Sequence, residues 1–121
     1  MKTKPRILVV DDEPAIRELL ARLLRKRSFD VVEAESGDEA MGILSARDAA
    51  LVLCDIRMPG MTGPELFERV ASLPGAEATR FIFMTGDRDA AEHGVGGAEV
   101  LAKPFSGGDL DRALAALSVS R

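Results

Sequence analysis

One cysteine, one histidine and no apolar run long enough to cross a bilayer set the first limits on this chain of 121 residues. Cys54 has no partner for an intramolecular disulfide, which suits a reducing compartment. It lies in an apolar run and reads as a small buried core residue. His93 stands among glycines, away from any serine or thiol it could activate, and reads as a solvent-exposed loop residue. An excess of positive charge is also missing: 16 Lys and Arg against 20 Asp and Glu leave a formal net charge of −4. The one basic cluster, Arg25-Lys26-Arg27, reads as a solvated cap in the last turn of a helix, so no nucleic acid is expected as partner. After the basic Met1 to Arg6, the apolar stretch Ile7 to Val10 is too short for a signal-peptide core or a membrane span. No membrane partner and a soluble, cytoplasmic protein are expected.

Repeats, low-complexity segments and linkers are absent as well, and 46% hydrophobic residues can bury a core at this length. A single domain over residues 1–121 follows. Short β-branched runs at Arg6 to Val10, Asp30 to Ala34, Ala50 to Asp55, Arg80 to Met84 and Glu99 to Ala102 predict strands. Three of them are almost wholly apolar, as strands buried on both faces must be. Between them, Ile16, Leu19, Leu20, Leu23 and Leu24 mark one face of an amphipathic helix that begins near Pro14. Weaker helical patterns run from about Asp38 to Leu44, Pro64 to Leu73 and Leu110 to Leu117. Alternating strands and helices imply right-handed crossovers and a parallel sheet covered on both sides, an α/β doubly wound architecture.

Ligands of such sheets bind at the carboxyl ends of the strands. Those ends carry Asp11-Asp12, Asp55, Thr85-Gly86 and Lys103-Pro104. Three carboxylates brought together repel unless a hard cation neutralises them, and oxygen-rich sites with carboxylates suit Mg²⁺. Lys103 adds a point positive charge and Thr85 a hydroxyl donor, groups fitted to a tetrahedral phosphate dianion.

In joint order and spacing, Leu8-Val9-Val10-Asp11-Asp12-Glu13-Pro14, Asp55 through Gly63, Met84-Thr85-Gly86 and Lys103-Pro104-Phe105 resemble the receiver domains of response regulators. The resemblance spans nearly the whole chain. It implies a flavodoxin-like five-stranded parallel sheet of order 2-1-3-4-5 and a function in two-component phosphorelay signalling. By similarity, Asp55 would accept a phosphoryl group from a histidine kinase or histidine phosphotransfer protein. Asp12 would ligate Mg²⁺ directly, Asp11 through water, and the Arg57 main-chain carbonyl would complete the protein's share with Asp55. Lys103 and Thr85 would hold phosphoryl oxygens, and a cis peptide would precede Pro104. The protein would catalyse its own phosphorylation and slow autodephosphorylation, without being an enzyme in the ordinary sense. Exposed residues of the first helix, Arg17, Glu18 and Arg22, would carry kinase choice. In the loop Met58 to Gly63, turn chemistry accounts for the proline and the glycines.

Two departures stand out. Val100 occupies the position where many receivers carry a switching aromatic residue. Gly86, Gly94, Gly96 and Gly97 interrupt the stretch between Thr85 and Lys103, so the fourth helix, between strands four and five, should be short or missing. Phe81-Ile82-Phe83-Met84-Thr85-Gly86 partly resembles a receiver subgroup with an F-x-F-x-T-G strand end and a reduced fourth helix. The usual dimer face would lose one of its parts, and a monomer is expected. Arg57 and Asp87 flank the site and could pair across its mouth; on phosphorylation Arg57 would change partner to the aspartyl phosphate and free Asp87, an exchange that would stand in for the aromatic switch. A phosphatase of the haloacid dehalogenase type shares an aspartate nucleophile, Mg²⁺, Thr and Lys, but wants a D-x-D motif where this chain has Asp11-Asp12-Glu13. A receiver that survives only as a binding module would have lost part of the motif, and no part is missing here. No output domain is apparent after the fifth helix, so a stand-alone regulator and a receiver from a hybrid kinase stay equally open.

Overall fold

The computed structural model describes residues 4–75, 78–86 and 99–119, the last four of these in backbone only. Five strands, β1 (Arg6–Val10), β2 (Asp30–Ala34), β3 (Leu51–Asp55), β4 (Arg80–Thr85) and β5 (Glu99–Ala102), form one parallel sheet of order β2-β1-β3-β4-β5. The described helices are α1 (Pro14–Lys26), α2 (Gly37–Ala46), α3 (Gly63–Ala71) and α4 (Gly107–Val119), the last following β5. The flavodoxin-like order 2-1-3-4-5 is thus the one the resemblance implied. The segment in which a reduced helix was expected between β4 and β5, together with Asp87 and His93, lies outside the described residues.

The apolar strands divide their side chains between two cores by the two-residue period of extended chain. Ile7, Val9, Leu51, Leu53, Ile82 and Met84 face α1 and α4, packing with Leu20, Ala21, Leu24, Leu110, Ala113 and Leu114. Leu8, Val10, Val52, Cys54, Phe81 and Phe83 face α2 and α3, where they meet Ala40, Leu44, Leu66 and Val70. Phe67, Phe81 and Phe83 stack edge to face with centroids 5.1–5.9 Å apart, which accounts for the F-x-F pattern as packing against α3.

The starts of α2, α3 and α4 lie further towards the N-terminus than apolar period alone suggests, because polar caps set them. Thr62 and Glu65 form a reciprocal capping box at the start of α3. Ser106 and Asp109 do the same for α4: the Ser106 amide donates to Asp109 at 2.9 Å and the Asp109 amide to the Ser106 hydroxyl at 3.1 Å. The helix therefore starts at Gly107, three residues before the first apolar position.

Two readings of α1 need correction. Of the expected face, Leu20 and Leu24 are buried beside Ala21, and Ile16 and Leu23 pack partly buried against the same core; Leu19, 52% exposed, departs from it, while Arg17 joins the stripe with a side chain only 13% exposed. At 3.6 residues per turn Leu19 stands roughly 140° round the helix from Leu24, too far to reach the sheet. The basic triplet is a solvated cap only in part: Arg25 and Lys26 stand exposed in the last turn of α1, as expected, but two of the three residues also bond to other elements. Arg27 reaches Asp111 of α4 at 2.6 Å and the carbonyl of Leu23 at 3.0 Å, while Arg25 donates to the carbonyl of Val31 at 3.1 Å. These arginines tie α1 to its neighbours.

Candidate functional site

β1, β3, β4 and the segment after β5 end at one edge of the sheet, and their last residues meet there. Asp11, Asp12 and Asp55 each offer a carboxylate oxygen within 4.8 Å of the others. Asp11 is fully buried, Asp55 half-buried and Asp12 exposed. Lys103 Nζ lies between two of them, 3.3 Å from Asp11 Oδ2 and 3.6 Å from Asp55 Oδ2. Above the cluster opens a cavity of about 720 Å³ lined by Asp12, Glu13, Ile16, Asp55, Arg57, Thr85, Gly86 and Lys103.

Each side chain is held by its backbone. The Asp11 amide continues the ladder to β2 by donating to Ala34 at 3.1 Å, and Asp11 Oδ1 accepts the Glu13 amide at 3.0 Å. That second bond closes the turn into α1, whose N-cap Glu13 supplies no side-chain cap of its own. β3 delivers Asp55 beside Met84, and the Ile56 amide donates to the Met84 carbonyl at 3.1 Å. Thr85 is buried at the end of β4, and its carbonyl accepts the Lys103 amide at 2.6 Å, fixing the root of the lysine against the threonine strand. The Lys103–Pro104 peptide is cis.

Burial raises the Asp55 carboxyl above the usual carboxylate range. Lys103 opposes the rise, Asp11 adds to it, and the main-chain amides of Ile56 and Arg57 pull it back, with a net upward result. Cys54, beneath, is a core thiol as expected, pushed up first by burial and then by the charges of Asp55 and Asp11.

Asp11, Asp12 and Asp55 bring carboxylate oxygens within 4.8 Å of one another, a set of hard oxygen donors that fits a small divalent cation even with Lys103 and Arg57 on the cavity wall. The cavity beside them is open enough to admit a phosphoryl group, with Lys103 and Thr85 on its wall.

Residues 7–115 match the family model described as response regulator receiver domain. The chain belongs to that family. This receiver is 35% identical to sporulation initiation phosphotransferase F of Bacillus subtilis over 104 residues, 83% of this chain and 82% of that protein. It is 32% identical over 108 residues to the C4-dicarboxylate transport transcriptional regulatory protein DctD of Rhizobium meliloti, covering 88% of this chain but 24% of DctD. The chain spans less than half the length of DctD and of several other transcriptional regulators it matches. Among solved structures, chemotaxis response regulator CheY4 of Vibrio cholerae superposes with a TM-score of 0.86 at 27% identity, covering 95% of this chain and 99% of CheY4. Family membership assigns the receiver to two-component phosphorelay signalling, with histidine kinases or phosphotransfer proteins as its class of partner.

The structure brings together Asp11, Asp12, Asp55, Arg57, Thr85, Gly86 and Lys103 of the residues singled out in the sequence, with Pro104 joined to Lys103. Asp87 falls outside the described residues, so its pairing with Arg57 is not described either. Glu13, read in the sequence only as part of the motif after β1, and Ile16, read only as part of the apolar face of α1, also line the cavity wall, a placement their sequence positions did not show. Sequence reasoning also missed the packing role of Gly63: a Cβ there would lie 2.5 Å from the Asp55 carbonyl oxygen and 3.0 Å from Ile56 Cα. Turn chemistry does account for Gly60, at φ +77°, but Gly63 is required by the close approach of α3 to β3.

Proposed function

We propose that the receiver takes a phosphoryl group from a phosphohistidine onto Asp55, with Mg²⁺ held by Asp11, Asp12, Asp55 and the main-chain carbonyl of Arg57. The observation that carries this reading is the placement of Lys103 Nζ between Asp11 and Asp55, inside a carboxylate cluster that opens on a cavity walled by Thr85. An Asp55 carboxylate oxygen attacks phosphorus, the P–O bond forms as the P–N bond breaks, and the imidazole of the donor leaves with the electron pair. Mg²⁺, when bound, cancels charge on the phosphoryl oxygens and aligns them for in-line attack. Lys103, freed from part of its pairing with Asp55, holds one phosphoryl oxygen and the Thr85 hydroxyl another. Water later hydrolyses the aspartyl phosphate in the same site, slowly.

Residues 1–121 act in this reading as one phosphoacceptor domain, cytoplasmic and monomeric, which changes its protein contacts on phosphorylation. Among the described residues no helix is long and apolar enough to cross a membrane. Incubation with acetyl phosphate and Mg²⁺ should add one acid-labile phosphate to the parent protein and none to Asp55→Asn. Undiminished labelling of that variant would overturn the assignment.

A further inference from the structure

Arg17 lies in the buried stripe of α1 at i, i+3, i+4 and i+7 with Leu20, Ala21 and Leu24, where an apolar side chain would be expected. A guanidinium can occupy such a position when its buried donors find acceptors, and here Nε and Nη1 both do. Arg17 Nη1 donates to the main-chain carbonyl of Asp11 at 2.9 Å, and Nε donates to Glu33 Oε1 on β2 at 3.2 Å. Glu33 pairs with Val9 in the parallel ladder, two residues before Asp11, so the fork bridges β2 and the acidic turn that follows β1.

We infer that Arg17 is a positioning residue for the carboxylate cluster, anchored for that task by Glu33. The inference rests on the reading of Asp11 and Asp12 as Mg²⁺ residues. Asp11 is then pinned at four atoms: its amide by Ala34, its carbonyl by Arg17, Oδ1 by the Glu13 amide and Oδ2 by Lys103. Three of these bonds come from neighbours the site needs for its backbone turn or its chemistry. Only the carbonyl bond comes from a side chain that neither lines the cavity nor belongs to the acidic cluster. Without it the peptide joining Asp11 to Asp12 is free to tilt, and the spacing of the two carboxylates goes with it. Arg17 therefore does not belong to the exposed docking face on which the sequence placed it. Glu18 and Arg22 remain exposed there.

The test is calorimetric titration of the full chain with MgCl₂ at fixed ionic strength, beside melting temperatures in chelator. Arg17→Met should bind Mg²⁺ about tenfold more weakly, the scale of loss when an outer partner of a metal ligand is removed. The sign discriminates: if the guanidinium acted only through its charge, its loss would tighten binding of another cation. Arg25→Met removes the second, 3.8 Å partner of Glu33 without touching Asp11 and should bind as the parent does. Parent-like or tighter binding by Arg17→Met, or an equal loss in Arg25→Met, would overturn the inference. Should Arg17→Met fail to fold, Glu33→Gln keeps the arginine in place with a weakened anchor and should lose a few-fold in affinity; no loss there overturns the inference too. If the parent binds no Mg²⁺, the proposed function fails first, a result distinct from parent binding that Arg17→Met leaves unchanged.

Discussion

Replacing Asp55 with asparagine takes one negative charge out of a cluster whose oxygens lie within 4.8 Å of one another. At an effective dielectric constant of about 20, each carboxylate pair at that separation costs about 3 kcal/mol, and Lys103 at 3.6 Å returns about 5 kcal/mol. Asp12 is exposed, so its share of the repulsion is reduced by solvent. Attraction and repulsion thus nearly cancel at Asp55, and the cost of burying its charge decides the balance. The upward displacement of its carboxyl agrees. A carboxyl raised in the folded state contributes stability below its unfolded pKa and loses it as pH rises through the folded value, so at pH 7 the ionised group is a net cost. In chelator at pH 7, Asp55→Asn should therefore be more stable than the parent by on the order of 1 kcal/mol, or about 4 °C in melting temperature for a chain of this size. Added Mg²⁺ should reverse the order, because it stabilises by mass action whichever folded protein binds it more tightly. Thermal denaturation followed by circular dichroism, with and without Mg²⁺, measures both effects. A variant that melts below the parent in chelator, or equal Mg²⁺ shifts in the two proteins, would refute the account.

Lys103→Ala should still bind Mg²⁺ but lose at least about 100-fold in the rate of labelling by acetyl phosphate, the scale set by removing one donor to developing charge; a rate near the parent's would count against its role. Gly63→Ala must push a methyl group against the Asp55 carbonyl and should cost about 1–3 kcal/mol in denaturant titration along with slower labelling, whereas Gly60→Ala, at positive φ but facing open space, should cost about 1 kcal/mol and leave labelling intact. Thr62→Ala removes the N-cap of α3 and should cost about 1 kcal/mol by the same titration. The Thr62 amide and hydroxyl hold Glu65 below its usual pKa, so its contribution is present above the unfolded value and lost as pH falls through the folded one; Glu65→Gln should flatten the acid limb of stability against pH.

Much of the molecule is set locally and was legible in the residues. The five strands follow from runs of β-branched and apolar side chains, because a strand buried on both faces admits little else. The acidic pair, Asp55, Thr85 and Lys103 were legible because each ends a strand, and parallel strands deliver their carboxyl ends to one edge. The resemblance to receivers then supplied the strand order, which periodicity cannot provide: hydrogen bonding in a sheet does not depend on which strand is the neighbour.

Tertiary structure decided what depends on direction and distance. The register of apolar positions in α1 allowed Leu19 on the buried face, but docking against β1 and β2 turned Leu19 outward and Arg17 inward, where the Asp11 carbonyl and Glu33 could satisfy its fork. Gly63 looked like any loop glycine until the helix it opens came within contact of the backbone of Asp55. The bonds that the arginines at the end of α1 make beyond their exposed cap were not legible because the partners, Val31 and Asp111, lie on other elements. Side-chain charge and apolar period are properties of the chain alone, whereas satisfaction of a buried polar group is a property of the neighbours that folding brings to it.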